Sequence, residues 1–381
     1  MLLAPPAFPL SFLVGLLSLA LLGGGLYTLW GWYTGALVGT AYLAGGLLTA
    51  FWSIAGRWVA LLLLGRGDPD GPTEERTGGA VSLPRPDGTV LRVERYGLAN
   101  GPTVVLTHGW GTDSTEWYYA KRSLGTRFRV LVWDMRGLGN STRSPSNDYR
   151  VSTLAADLDA VVALAAGDAP VILVGHSLGG VSSLALCRHF PECLAPAGQV
   201  AGLVLVNSTY TSPLATTTAS GFFSAVRKPV LEPLLLLTIW LWPVMWLSAW
   251  LSYLNGTAHL LSWLTGFAGR PPRRQLDFTT RLGAKAHPAV LARGMLAAFR
   301  CDETAALAAV KVPALVITGE GDRVLVPQAS ARISAALPQA QLLSLADARH
   351  QALLQRHESF DAAVLSFASG CLETPTSARA A

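Results

Sequence analysis

The 381 residues are 51% hydrophobic and only 14% charged, and their positive mean hydropathy excludes an ordinary, fully solvated protein: part of the chain is expected to meet lipid. Against 29 basic residues stand 24 acidic ones, a net charge of +5 with no Lys/Arg run able to track a phosphate backbone, which excludes nucleic acid as a partner. Cysteines at 187, 193, 301 and 371 have neither CxxC spacing nor the density of a disulfide scaffold, so they are expected as free buried thiols.

From Met1 to Gly56 no side chain is charged, a run more than twice the roughly 20 residues that a helix needs to cross a bilayer. It predicts a membrane anchor over residues 1–65 with two transmembrane spans, near 9–30 and 34–56. Tyr27, Trp30, Trp32 and Tyr33 would mark one interface, and Trp52, Arg57 and Trp58 the other. A cleaved signal peptide is the competing reading, but the start carries no Lys or Arg and the apolar stretch far exceeds the roughly 7–15 residues of such a segment. Arg57 and Arg66 follow the second span, so the positive-inside bias predicts a membrane protein with the remaining chain on the cytoplasmic side. Residues 66–80, with the run RGDPDGPTEERTGG, are expected to be a solvated linker.

Strand-like runs follow at 89–96, 103–107, 128–134, 171–175, 202–207, 314–319 and 341–347, with helical patterns between several of them, as at 153–166 and 178–190. Strands alternating with helices predict an α/β fold with a mostly parallel sheet flanked by helices. The alternation stops after Asn207 and resumes near Val312. The block 209–300 is expected to be an inserted hydrophobic helical cap dividing a core of 81–208 and 301–372, with a small polar tail at 373–381.

The run VILVGHSLGG, 171–180, predicts a buried strand that turns sharply into a helix with Ser177 on the turn. A serine hydroxyl is a weak nucleophile, so it needs an exposed, constrained position beside a base. His108-Gly109-Trp110-Gly111 follows the strand TVVLT, where the backbone amides of Trp110 and Leu178 would together stabilise an oxyanion. Asp322 follows ALVITG and His350 follows QLLSLAD, so both would emerge at the same carboxyl edge of the sheet as Ser177. The chain order Ser, Asp, His matches a known triad order.

Through HGWG at 108–111, WDMRGLGNS at 133–141, GHSLGG at 175–180, VITGEGDRVLVP at 316–327 and RH at 349–350, the chain resembles the α/β-hydrolase superfamily over roughly 81–370 outside the cap. It looks like a serine esterase or lipase-like member with an N-terminal membrane anchor. The resemblance implies Ser177 as nucleophile, His350 as general base and then acid, and Asp322 as the group that orients the imidazole. It also implies that Asp134 and Arg136 brace the loops beneath. Arg349 stands where relatives often have glycine and is expected to face solvent. Serine at the elbow, rather than aspartate, argues against epoxide hydrolase and haloalkane dehalogenase chemistry.

His108 and His176 are expected to pack or hydrogen-bond. His189, His259, His287 and His357 have no carboxylate or cysteine at ligand spacing, so no metal is expected, and no cofactor is implied. Asp347, three residues before His350, is the rival acid. In the cap, LLLLTIWLWPVMWLSAWLSYL, 234–254, is long enough to cross a bilayer, but a crossing would part Ser177 from Asp322 and His350 by ~30 Å of hydrocarbon. The segment must lie in the interface, dip in and return, or pack on the core. Trp240, Trp242, Trp246, Trp250 and Trp263 favour the interface, Pro243 would bend the helix, and Arg270, Arg273 and Arg274 could meet anionic headgroups. The expected function is a membrane-anchored serine hydrolase cleaving esters of lipophilic acyl chains through an acyl-enzyme. Acyl transfer or thioester hydrolysis with the same residues is the alternative, and a catalytically silent membrane scaffold is the rival from another class. The expected partners are a lipid or lipophilic ester and the membrane, with no obligate protein partner evident.

Overall fold

Helices begin the chain. The computed structural model describes residues 8–68, 70–166, 170–194 and 199–373, and of the tail at 373–381 only Glu373 falls among them. Two long apolar helices, α1 (Phe8–Tyr33) and α2 (Thr40–Leu64), form a hairpin. Their bounds differ from 9–30 and 34–56: the chain turns at 34–39, where Gly35 and Gly39 adopt φ of 77° and 121°, values that glycine reaches without a Cβ penalty. Nor does Arg57 end α2, because its guanidinium donates to the Tyr253 hydroxyl at 2.9 Å and covers the Trp58 ring at 4.4 Å.

The described residues of the stretch 66–80, several of them exposed, are tied to the rest of the chain at defined points. Arg66 pairs its backbone with Pro271 and Arg273, and Glu74 meets Arg281 and Lys285. Arg76 reaches Glu94, Asp113 and Asp134 at 3.0–3.3 Å. Polar composition excludes a core position there, but it does not prevent opposite charges from finding one another.

One eight-stranded sheet follows: β1 (Gly79–Pro84), β2 (Val90–Gly97), β3 (Thr103–Thr107), β4 (Arg129–Trp133), β5 (Val171–His176), β6 (Val200–Val206), β7 (Ala314–Gly319) and β8 (Ala340–Leu345). Its order is β1-β2-β4-β3-β5-β6-β7-β8, parallel from β4 to β8 with β2 antiparallel to β4 and β1 antiparallel to β2. Strand β1 has no counterpart among the predicted strands, since this edge strand is half-exposed and lacks an apolar run. Helices α3 (Tyr118–Leu124), α4 (Val151–Ala166) and α5 (Leu178–His189) alternate with the strands. Six more, α6 (Ser220–Val226), α7 (Glu232–Trp240), α8 (Trp242–Leu254), α9 (Thr257–Gly266), α10 (Arg273–Lys285) and α11 (Pro288–Ala298), make up the insertion. Then α12 (Thr304–Ala309), α13 (Pro327–Ala336), α14 (Ala352–Gln355) and α15 (His357–Glu373) complete the core.

Alternating strand residues feed two cores. Val105, Leu173, Leu203 and Val316 pack under α4 and α5 through Leu158, Val161 and Leu184. Val104, Ile172, Val204 and Ile317 pack on the other face under Leu124, Phe360 and Val364. Each buried Leu or Val contributes about 1.5–3 kcal/mol, which is why the middles of the central strands are apolar.

The cap does not run straight. Helices α6 and α7 together meet α8 at 99°, and the break falls at Leu241, with Pro243 in the first turn of α8, where its missing N–H is no loss. Leu236, Trp240, Trp242, Trp246 and Leu247 are exposed around this elbow. The hairpin packs on the inner side of the cap through small residues: a Cβ on Gly56 would lie 2.5 Å from the Asn255 carbonyl. Ser18 shares hydrogen bonds with Ser252 and Asn255 at 3.0 and 2.8 Å, a pairing suited to helices in a medium without water. Arg270 is exposed and Arg273 half-buried. Their guanidiniums donate to the carbonyls of Leu61, Leu62 and Gly65, satisfying the orphan acceptors and the negative pole at the end of α2.

Candidate active site

Between β5 and α5 the chain reverses within one residue. Ser177 holds φ 52° and ψ −119°, a strained conformation for any residue but glycine. The turn is tight because glycines flank it: a Cβ on Gly175 would lie 2.5 Å from the Gly180 nitrogen, and one on Gly179 would run into the Thr107 carbonyl of β3. The Ser177 N–H donates to the Val206 carbonyl at 2.9 Å and its carbonyl accepts from the Ser208 hydroxyl at 2.8 Å, so the strained residue is held from both sides.

The turns after β7 and β8 bring Asp322 and His350 to this point. His350 Nε2 lies 3.1 Å from Ser177 Oγ, and Nδ1 lies 2.8 Å from Asp322 Oδ2. Both Asp322 and His350 are buried. Asp347 is elsewhere, almost fully exposed and paired with Arg356. Asp322 is also a fourfold acceptor, because Oδ1 takes the N–H groups of Val324 and Leu325 at 2.8 and 3.1 Å, and Oδ2 takes Asn207 Nδ2 at 2.7 Å. Asn207, at φ 43° directly after β6, ends the predicted strand 202–207 but is not among the expected site residues. Its position at the carboxyl edge of a central strand is the signal that marks it.

A second arrangement backs the first. His176 Nδ1 lies 2.7 Å from Glu116 Oε1, a close contact without hydrogen-bond alignment, and His176 Nε2 lies 3.0 Å from the His350 carbonyl. Glu116 Oε2 accepts from the Gly109 N–H and the Thr112 hydroxyl, both at 2.9 Å. Burial opposes ionisation of Glu116, but His176 and the Gly109 N–H outweigh it and hold the carboxyl at about 2. This carboxylate therefore links the loop before Trp110 to the loop of His350, and nothing in the local sequence announces it. His108 accepts from the Met135 N–H at 2.9 Å, the hydrogen-bonding role expected of it.

Gly109 thus spends its N–H on Glu116, whereas the amides of Trp110 and Leu178 have no hydrogen-bond partner among the described residues. Both residues line an apolar cavity of about 810 Å³, counted out to its mouth, together with Ser177, Val181, Met295 and Leu325. Asp134 and Arg136 lie under this floor. Asp134 accepts from the Ser114 and Asn140 N–H groups at 2.8 Å, and Arg136 grips Asp157 through two nitrogens at 2.6 and 2.8 Å, a bidentate geometry that fixes orientation. Arg349 is half-buried and does not line the cavity; its guanidinium donates to the Leu264 carbonyl at 2.8 Å, near the end of α9. His259 has a carboxylate partner after all, Asp277 at 3.0 Å, supplied by tertiary packing. No group of three His, Cys, Asp or Glu suited to a metal lies among the described residues.

Residues 102–356 match the family model described as alpha/beta hydrolase fold, leaving the hairpin outside the match. The "Putative carbamate hydrolase RutD" of Caulobacter sp. (strain K31) is 29% identical over 294 residues, covering 74% of this chain and 97% of that protein. Among solved structures, an esterase (EaEST) from Exiguobacterium antarcticum superposes with a TM-score of 0.61 at 22% identity, covering 76% of this chain and 100% of that one. The esterase RhEst1 from Rhodococcus sp. ECU1013 does so with a TM-score of 0.59 at 24% identity, over 77% and 98%. At these identities the structures establish a common fold.

Proposed function

The chain belongs to the alpha/beta hydrolase fold family, and from that premise we propose a membrane-anchored serine hydrolase that cleaves carboxylic esters of lipophilic acyl chains. The observation that carries the reading is the 3.1 Å approach of Ser177 Oγ to His350 Nε2 on the floor of an apolar cavity. Ser177 Oγ attacks the ester carbonyl carbon while its proton passes to His350 Nε2. The negative charge that gathers on the carbonyl oxygen meets the free amides of Trp110 and Leu178. His350 then gives its proton to the departing alkoxide, the alcohol leaves, and an acyl-enzyme remains on Ser177. Water repeats the sequence from the other side, losing its proton to His350, and the carboxylic acid is released as Ser177 recovers its proton.

Membrane anchoring is supported by length and exposure. Hairpin residues such as Tyr27, Trp30, Leu48 and Phe51 are exposed. Beyond the Ser18 contact with the cap, α1 protrudes for 15 residues to Tyr33, about 23 Å at ~1.5 Å per residue. The hydrocarbon core is ~30 Å thick, so the exposed cap elbow at Trp240 and Trp246 supplies the remaining depth. The four native cysteines are buried, which makes orientation measurable: a cysteine at exposed Asn100 is expected to resist an impermeant maleimide in intact cells and to react after permeabilisation. For the chemistry, a fluorophosphonate probe is expected to label the wild type and not Ser177→Ala. Equal labelling of both overturns the proposal.

A further inference from the structure

The cavity above Ser177 has a neighbour. A second cleft, about 590 Å³ counted to its mouth, lies between α1 and the cap. Phe12 and Val14 of α1 form one wall, and Met245 and Ala249 of α8 form the other. Gly283 and Leu291 line both spaces. A glycine at that partition lets the backbone stand close to whatever passes. The Leu291 carbonyl accepts the Trp110 indole N–H at 3.1 Å, so the partition is tied to the loop that carries one of the free amides.

The wall of this second cleft makes little demand for water. Thr238, Ser248 and Ser252 donate their hydroxyl protons to carbonyls of their own helices, those of Leu234, Met245 and Ser248. The remaining surface is largely carbon. Beside the cleft, Leu10, Leu13 and Leu16 of α1 are exposed, which places it at the apolar margin of the molecule rather than its polar one.

We propose that the two spaces form one acyl-binding channel and that the anchor helix α1 is part of its wall. With the ester carbonyl at Ser177, the proximal acyl carbons fill the first cavity, and the distal carbons pass Gly283 and Leu291 to rest against Phe12 and Val14. The hairpin then has a second task besides anchoring, since it sets the preferred acyl length. This inference rests on the ester-cleaving reading of Ser177.

The test compares p-nitrophenyl butyrate with p-nitrophenyl palmitate on full-length protein in one detergent. Val14→Trp and Ala249→Trp fill the cleft from opposite walls. Each is expected to lower the palmitate-to-butyrate ratio of kcat/KM, by about tenfold for every two methylenes that lose their burial. Phe12→Ala, which only removes volume, is expected to raise the ratio, and it provides the readout if a tryptophan variant fails to fold. Ratios that stay at the wild-type value in all folded variants overturn the channel. If the wild type shows no Ser177-dependent hydrolysis of either ester, it is the underlying function that falls.

Discussion

Asp322→Asn puts the assigned roles under the most direct strain. The carboxylate accepts from two loop amides through Oδ1, and from Asn207 and His350 through Oδ2, all within 2.7–3.1 Å. An asparagine brings one acceptor oxygen and one donor NH₂ to the same place. If its oxygen stays on the Val324 and Leu325 amides, its NH₂ confronts the NH₂ of Asn207 and the Nδ1 of His350. The imidazole can answer only by presenting a bare Nδ1, which moves its proton to Nε2 and leaves Ser177 without a base. The wrong tautomer costs about 10⁴-fold in kcat, equivalent to ~5.5 kcal/mol of transition-state stabilisation. The donor-to-donor confrontation costs a further ~1–3 kcal/mol of stability. Hydrolysis of p-nitrophenyl butyrate and thermal unfolding, measured in the same detergent, read the two separately. Adding Asn207→Asp restores an acceptor opposite the new amide, so the double variant is expected to regain stability without regaining rate. If Asp322→Asn keeps more than about a tenth of the wild-type kcat, the tautomer reasoning is wrong.

Other consequences are as specific. Glu116→Ala strands the Gly109 N–H and His176, though the Thr112 hydroxyl keeps the Gly109 carbonyl as acceptor, and is expected to cost ~3–5 kcal/mol, while Glu116→Gln, which keeps an acceptor, costs less. Because the Glu116 carboxyl is held at about 2 in the fold against 4.5 in a free chain, its stabilisation is complete above pH 4.5 and fades as the pH falls toward 2. A stability gap between wild type and Glu116→Ala that stays flat across that range would contradict the lowered carboxyl. Asp361 behaves in the opposite sense: burial pushes its carboxyl up from 3.8 to about 7, so its cost is absent below 3.8 and builds as the pH rises to 7. Asp361→Asn is therefore expected to unfold at higher temperature than wild type at pH 8, by up to ~4 kcal/mol, and to match it near pH 4. At the cap elbow, a fluorophore on Trp240→Cys in proteoliposomes is expected to be quenched by brominated acyl chains. Quenching by aqueous iodide alone would place the elbow in water.

Local chemistry announced much of this protein. Strands β3 to β7 were legible because central parallel strands are buried on both faces and are dominated by apolar runs, as VILVG and VAGLVLV are, whereas β2 and edge strand β8 are partly exposed and showed only through shorter apolar stretches. The elbow was legible for a related reason, since a reversal in one residue between strand and helix leaves no room for side chains at Gly175 and Gly179. Edge strand β1 escaped notice because it is largely exposed and GAVSLP offers no apolar run, whereas edge strand β8, exposed in a similar way, keeps the run LLSL.

What escaped the linear chain were partnerships between distant polar groups. Glu116 finds His176, Asn207 finds Asp322, Arg270 and Arg273 find the end of α2, and the stretch 66–80 finds three carboxylates for Arg76. Hydrophobic periodicity is written into consecutive residues because a whole face must be apolar to be buried. A hydrogen bond or ion pair asks only that two groups meet, and only the tertiary fold decides which ones do.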